Sequence, residues 1–132
     1  MLFKATAAST GGRFSLMDRT LPPHGRPPAA HRHPATLEAF LVLEGELTFL
    51  LDGVATPVGA GGFVSVSEGE AHTFVNEGDV PARVLILHSP PLDAYFEDLA
   101  ALWSTGAAPR PEAELEVMRR HGLEPVTEQS DA

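Results

Sequence analysis

Short apolar runs broken by turn-forming residues are the feature that most limits the fold of this chain. Between residues 14 and 87 the runs are separated by Gly, Pro, Asp and Asn, and none keeps helical spacing for long. The breaks have turn chemistry, as in Glu44-Gly45 and Asp52-Gly53. Many short strands at close spacing favour a sandwich or small barrel over a parallel α/β sheet. We predict strands at Arg13–Asp18, Ala30–His33, Glu38–Glu44, Glu46–Leu51, Gly62–Ser67, His72–Asn76 and Ala82–His88.

The periodicity changes after the Pro90-Pro91 pair. Apolar residues then recur with helical spacing and predict a helix over Leu92–Trp103. A second helix is predicted over Glu112–His121, between a proline suited to a first turn and Gly122, which suits a left-handed C-cap. We therefore expect a single all-β domain over residues 1–132, with the barrel over about 10–90 and a helical extension over about 91–124.

Charge and composition exclude several function classes. The chain has eighteen acidic residues against nine Lys and Arg, for a net charge of −9, which disfavours a nucleic acid or an anionic membrane as partner. It has no cysteine, which removes disulfides and thiolate chemistry and is compatible with a reducing cytosol. No signal-like or membrane-spanning apolar segment is visible, so we expect a cytoplasmic protein.

Three histidines and one glutamate form the most informative constellation. His31 and His33 are two residues apart, so on a strand their imidazoles project from the same face. Glu38 begins the next predicted strand and can return a carboxylate to that face, and His72 is available downstream. Imidazole nitrogen with carboxylate oxygen suits one divalent transition metal, Mn, Fe, Co, Ni, Cu or Zn.

These residues also match two known motifs, and on them the chain resembles the cupin superfamily. The first motif, G(x)5HxH(x)4E(x)6G, is met at every fixed position, and the second, G(x)5PxG(x)2H(x)3N, is met at Gly61, Gly69, His72 and Asn76. Ser67 stands where the family usually has proline, and Gly62 where an acidic residue is common. The resemblance implies an antiparallel cupin β-barrel, that is, a double-stranded β-helix or jelly roll, with one or two C-terminal α-helices.

Within the superfamily, the chain most resembles the single-domain cupins related to quercetin dioxygenase. Three stretches suggest it: Thr10-Gly-Gly-Arg-Phe-Ser-Leu, Pro-Ala-Ala-His31-Arg-His33-Pro and Pro90-Pro-Leu-Asp-Ala-Tyr-Phe. The resemblance implies that His31, His33, Glu38 and His72 hold the metal and that a small aromatic or enolisable substrate reacts with O₂. It also makes Glu38 the candidate catalytic base, on condition that Glu38 shifts off the metal, because a neighbouring cation depresses the pKa of a carboxylate.

Aromatic residues are the candidate substrate-binding walls. If Glu38 and His72 point inward, the period of two turns Phe40 and Phe74 inward as well. Phe49, Phe63 and Phe96 complete the candidate set, and ordinary core packing is the alternative for each of the five.

Three further histidines, His24, His88 and His121, lie outside the motifs. We interpret His24 as a loop residue and His121 as a cation closing a helix. His88 shares strand parity with Val84 and Ile86, so it could face the interior and act as a base behind the metal ligands, although a satisfied core or rim histidine is the simpler interpretation.

The predicted strand Glu38–Glu44 is apolar on both faces, so its outer face needs a cover. The helix Leu92–Trp103 is one candidate, and a second subunit is another, since family habit suggests a homodimer. Alternatively the helix closes the barrel mouth, with Phe96 or Trp103 as a lid.

Three functions remain open at this point. The first is dioxygenation, the second is metal-holding small-molecule binding without turnover, and the third is a metal-dependent isomerase or lyase acting on a sugar or keto acid. The third calls for Arg or Lys in the pocket; Arg32 and Arg83 are expected to face away, which favours a neutral aromatic substrate.

Overall fold

The computed structural model of the protein describes residues 2–25, 31–33, 35–104 and 109–125. The elements in chain order are β1 (Leu2–Ala5), α1 (Ala7–Thr10), β2 (Ser15–Leu21), β3 (His31–Arg32), β4 (Leu37–Glu44), β5 (Glu46–Leu51), β6 (Val54–Gly59), β7 (Phe63–Val66), β8 (His72–Val75), β9 (Ala82–Ser89), α2 (Asp93–Trp103), α3 (Pro111–Arg120) and β10 (Glu124–Pro125).

Within the described residues, the strands form two five-stranded antiparallel sheets. One sheet has the order β1-β2-β9-β4-β7, and the other has the order β10-β3-β8-β5-β6. Sequential strands are split between the sheets, as when β4 pairs with β9 and β7 while the following β5 pairs with β6 and β8. The predicted all-β fold with two C-terminal helices is confirmed.

The core lies between the two sheets, and strict alternation along the strands positions it. On β9 every second residue from Ala82 to His88 is buried, and on β4 the buried residues are Glu38, Phe40 and Val42. Directly opposed residues of antiparallel strands share a face, so these inward residues meet across the sheet. The inward face is therefore apolar in the middle of the sheet and polar at the Glu38 and His88 end.

The β4–β5 turn depends on a glycine. Gly45 has φ of 76°, in the left-handed region that residues with a Cβ rarely adopt. A Cβ at this position would also lie 2.7 Å from the carbonyl oxygen of Pro81. The turn can therefore pass this close to the start of β9 only with glycine, which fixes where β4 ends.

Both predicted helices are confirmed, at Asp93–Trp103 and Pro111–Arg120. Pro111 occupies the first turn of α3, and Gly122 has the left-handed conformation (φ 81°) expected after its end. In the parts of the chain that the structure describes, no helix is long and apolar enough to cross a membrane.

Several strand boundaries differ from the predicted ones. The strand β2 runs to Leu21 rather than ending at Asp18, because it pairs with β9 along its whole length. Of the predicted strand Ala30–His33, Ala30 lies outside the described residues, and β3 covers His31–Arg32. The elements β1, α1, β6 and β10 were not predicted. In β6 five of six residues are exposed, so it lacks the apolar alternation that would reveal it.

The side-chain amide of Asn76 forms hydrogen bonds with three backbone groups, one at the end of β2 and two in the loop after β8. Its Nδ2 donates to the carbonyl oxygens of Leu21 (3.2 Å) and Val80 (2.9 Å), and its Oδ1 accepts from the backbone N–H of Gly78 (3.0 Å). The side chain is buried, so no solvent can replace these partners.

Replacing this amide is expected to destabilise the fold. Asn76→Ala leaves two acceptors and one donor without partners, and we expect a loss of about 2–4 kcal/mol in the free energy of unfolding. Urea denaturation of the metal-free protein measures it, with the exposed neighbour variant Glu77→Ala as the control that should stay within about 0.5 kcal/mol of wild type. Equal stability of the two variants would contradict the role given to Asn76.

Candidate metal centre

The four predicted ligands come together at one end of the barrel interior. Glu38 begins the inward face of β4, and His31 on β3 pairs directly with His72 on β8 in the opposite sheet. His33 follows His31 by two residues, so its side chain is on the same side of the chain. All four side chains are buried, although imidazole and carboxylate groups normally remain solvated. The convergence that the spacing predicted is present.

The ligand atoms are close enough for a single ion. One nitrogen or oxygen atom from each of the four residues lies within 4.8 Å of the others. Glu38 Oε1 lies 2.5 Å from His72 Nε2 and 3.6 Å from His33 Nε2, without hydrogen-bond geometry. Buried polar atoms without partners are costly and rare. Counting only partners in the described part of the chain, these atoms are Glu38 Oε1, His72 Nε2 and both ring nitrogens of His33, and a divalent cation among them would satisfy several at once.

Outer partners hold two of the ligands in a metal-ready orientation. His72 Nδ1 donates to the carbonyl oxygen of Glu70 at 3.1 Å, and because a carbonyl only accepts, the proton sits on Nδ1 and leaves the Nε2 lone pair free. His88 Nε2 bonds Glu38 Oε2, so the second carboxylate oxygen, Oε1, faces the histidines. One oxygen of the Glu38 carboxylate, Oε2, therefore bonds His88, and the other, Oε1, is left to face the ion position.

The pKa values follow from this burial and these contacts. Burial alone would raise the pKa of Glu38, but its contacts with His33, His72 and His88 hold that pKa well below the usual range. Burial lowers the pKa of His33. For His72 the effect of burial is outweighed by Glu38 and by the Glu70 carbonyl, and its pKa is raised. Near neutral pH the cluster therefore offers a carboxylate anion, which attracts a cation.

The donor set fits a divalent transition metal. Three imidazoles and one carboxylate are borderline ligands typical of Mn, Fe, Co, Ni, Cu and Zn. Four protein ligands leave one or two positions open in a five- or six-coordinate site, where a small molecule can bind. His31, His33, Glu38 and His72 would hold the ion, and His88 would orient Glu38.

A family comparison agrees with this geometry. A family model described as a cupin domain matches residues 17–88, which is more than half of the chain. The chain belongs to the cupin family. A search of curated proteins finds no significant match. The sequence resemblance to the cupin superfamily is thus confirmed, whereas the narrower likeness to quercetin dioxygenase stays a prediction.

Solved cupin structures resemble this cupin over about two thirds of its length. The polyketide cyclase RemF from Streptomyces resistomycificus is 26% identical, with a TM-score of 0.58 over 65% of this chain and 61% of that one. A sugar phosphate isomerase from Silicibacter pomeroyi is also 26% identical, with a TM-score of 0.57 over 66% and 57%. KdgF from a Halomonas species, at 17% identity, has a TM-score of 0.62 over 70% and 79% and shows the fold alone. The chain thus spans about three fifths of the first two.

Both departures from the second cupin motif have a local structural reason. The backbone N–H of Ser67 donates to Glu70 Oε1 at 3.1 Å, a bond that a proline at this position could not make. A Cβ at Gly62 would lie 2.3 Å from Cγ1 of Val58, so a larger residue there would require the Val58 side chain to move. Neither difference touches a ligand side chain.

The five candidate aromatic walls divide into three groups. Phe40, Phe49 and Phe74 are buried and pack on one another, with ring centres 4.9–6.0 Å apart, directly below the ligands. Contact of these three with a substrate stays a prediction, since mutual packing already accounts for their burial. Phe96 on α2 lies 5.3 Å from the ring of His88, at the open end of the barrel.

The prediction that Phe63 is a wall of the site is corrected, because its side chain lies on the outside of the barrel. It is 65% exposed, whereas Val66 on the same strand is opposite the inward Glu38. Val64 likewise is opposite Phe40, so Val64 and Val66 form the inward face of β7 and Phe63 faces away from the interior. Phe63 therefore does not line the barrel interior.

Two residues of the site were undervalued or missed by sequence reasoning. His88 is fully buried and bonds a ligand, and its parity with Val84 and Ile86 was the signal. Arg19 was missed because the predicted strand ended at Asp18; it shares parity with the buried Met17 and lines a cavity beside α2. The expectation that no arginine faces the pocket is therefore wrong, although Arg83 does point away and pairs with Asp18.

Removing a ligand is expected to cost much more metal affinity than removing the supporting histidine. His72→Ala should weaken binding of Co²⁺ or Zn²⁺ by at least about 100-fold, and His88→Ala by about 10–100-fold, the usual effect of an outer partner. Isothermal titration on the metal-free proteins measures this, with the exposed His24→Ala as the matched control at wild-type affinity. Unchanged affinity in His72→Ala would contradict the ligand set.

Metal affinity is expected to fall as the pH is lowered. A metal binds neutral imidazole, so the raised pKa of His72 means that a bound proton must be displaced already above the ordinary value of 6.5. His33, with its lowered pKa, stays neutral to lower pH and should not set the onset. Titrations from about pH 8 to about pH 5 should show a loss that steepens below neutrality. A constant affinity over this range would contradict histidine ligation.

Proposed function

We propose that this cupin is a metal-dependent enzyme that activates a small, oxygen-rich and enolisable molecule. The observation that carries the proposal is a set of buried nitrogen and oxygen atoms of His33, Glu38 and His72, which converge on one point and have no hydrogen-bond partner among the described residues. A purely structural cluster would have satisfied these atoms with protein partners. When bound, a divalent metal supplies Lewis acidity, which makes a coordinated hydroxyl or enol easier to deprotonate.

The chain itself supplies a place for the released proton. Glu38 is held by His88 through Oε2, so its Oε1 is the oxygen that faces both the ion position and an incoming substrate. Its low pKa makes it a weak base while it is bound to a cation, so it can accept a proton only by moving away from the ion. His88 keeps the carboxylate in position during such a movement.

Dioxygenation is the specific reaction we propose. The aromatic cluster of Phe40, Phe49 and Phe74 makes the floor of the site apolar, which excludes water from a reactive substrate. Four protein ligands would leave two positions of a six-coordinate ion, one for a substrate oxygen and one for O₂. The chain's motif resemblance to quercetin dioxygenase-like cupins supports the same reaction.

A metal-dependent isomerase, cyclase or lyase is the second candidate, and Arg19 favours it. An inward arginine is the kind of residue that holds an acidic substrate, and two of the similar structures are a polyketide cyclase and a sugar phosphate isomerase. These names describe those proteins, and their bearing on this chain is a matter for experiment. A binding module without turnover is the remaining alternative.

A homodimer is also part of the proposal. The outer face of β4 carries Leu41 and Leu43, which are only half-buried, and the exposed Phe63 pairs beside Leu41. The helix α2 was one candidate cover for this face, but its Phe96 contacts the inward-facing His88 instead. A second copy of the chain would bury this apolar surface.

Oxygen consumption separates the candidate functions. The protein reconstituted with each divalent metal is incubated with flavonols and catechols, aerobically and anaerobically, and oxygen uptake is recorded with substrate loss. We expect uptake matching substrate loss with at least one metal and none with His72→Ala. Substrate loss without oxygen would support the isomerase or lyase, and no loss with any metal would leave the binding module.

A further inference from the structure

A cavity lies beside the metal centre, between the inward face of β2 and helix α2. Its volume is about 350 Å³, within the range of small-molecule sites (roughly 300–1,000 Å³). It is lined by Arg19, Phe96, Leu99, Ala100 and Trp103. The walls are therefore apolar apart from one cation.

The charge of Arg19 is not neutralised by direct contact with any described residue, and Glu38 acts on it only at a distance, where it raises the pKa of the guanidinium. Among the described residues it makes no hydrogen bond or ion pair, whereas Arg83 on the neighbouring strand pairs with Asp18. Its guanidinium lies 5.9 Å from the centre of the Phe74 ring, and burial lowers its pKa from the usual value of an arginine. A partly buried arginine normally has a carboxylate or several acceptors around it. Here the open cavity occupies that place.

The guanidinium is close to the metal centre. It lies over the ring of Phe74. Phe74 follows the ligand His72 by two residues on β8, so the two residues are about 7 Å apart along the strand. Phe96 forms a shared wall, because it lines the cavity and its ring is 5.3 Å from that of His88. The cavity therefore adjoins the metal centre through Phe96.

We propose that this cavity binds the carboxylate of a small aromatic or aliphatic acid, with Arg19 as the residue that selects for it. The planar guanidinium matches a carboxylate with two parallel hydrogen bonds. One arginine balances one negative charge, and the net charge of −9 opposes a polyanion, so a monocarboxylate fits better than a phosphate ester. The apolar walls hold the rest of the acid. This inference deepens the proposed function, since it names the substrate class of that site.

The single tryptophan of the chain is a built-in reporter. Trp103 lines the cavity and is 47% exposed, so a ligand that enters should change its fluorescence. The probes are 3-phenylpropionate and its neutral amide, 3-phenylpropanamide, which differ in charge at one group. Titrations are made in EDTA, so they test the cavity separately from the metal chemistry of the proposed function, which the Co²⁺ titrations and oxygen uptake test.

We expect wild-type protein to bind the acid at least about tenfold more tightly than the amide, the usual worth of a hydrogen bond to a charged group. Arg19→Gln should abolish this preference without changing the affinity for the amide, and Arg19→Lys should keep part of it. The control, Arg13→Gln, removes the same charge from an exposed position before β2 and should behave as wild type.

Three results would overturn the proposal. They are equal binding of acid and amide by wild-type protein, an unchanged preference in Arg19→Gln, and tighter binding of phenyl phosphate than of the acid. The first and third use only wild-type protein, so they remain decisive if the Arg19 variants fail to fold. If the acid preference holds but no metal binds, the cavity assignment stands and the proposed metal chemistry fails.

Discussion

The enclosure of one carboxylate among imidazoles is the constraint on which the rest of this structure depends. Glu38 is buried in contact with His33, His72 and His88, and its burial would be unfavourable if it stood alone. The contacts keep it ionised, and the atoms they leave unsatisfied point to one place. Stability alone would be served better by apolar residues of similar volume. The cluster therefore has the chemistry of a metal site and not that of a stabilising core.

The barrel turns distant segments of sequence into a single site. β3 and β8 bring His31 opposite His72 in one sheet, while β4 and β9 bring Glu38 opposite His88 in the other. Phe40 and Phe74, each two residues beyond a ligand, pack on each other in the barrel interior, and α2 places Phe96 against His88. His31, Glu38 and His72 are therefore held on strands, and His33 directly follows β3, which gives a precise geometry.

The ligand set could be predicted from sequence because its information is local. The HxH spacing fixes two side chains on one face whatever the neighbouring strands are, and a motif spacing located Glu38 and His72. The surroundings of Arg19 and His88 could not be predicted in this way, because they depend on which strands pair and in what register. Alternation shows that His88 shares a face with Val84, but only the β4–β9 pairing shows that this face meets Glu38.

The errors have the same origin. The length of β2 is fixed by its partner β9, which carries the strand past Asp18 and turns Arg19 inward. Phe63 was a candidate wall of the site, but the register of β7 against β4 turns Val64 and Val66 inward and Phe63 outward. The strand β6 has a mostly exposed surface and only its pairing with β5 defines it. Sequence periodicity predicts faces well and register poorly.

The most direct test of the central claim is an anomalous-scattering crystal structure of the protein loaded with Co²⁺ or Zn²⁺. We expect one strong peak at about 2.0–2.3 Å from nitrogen atoms of His31, His33 and His72 and from Glu38 Oε1, with His88 still bonded to Oε2. A metal peak elsewhere, or none among these four side chains at saturating metal, would contradict it.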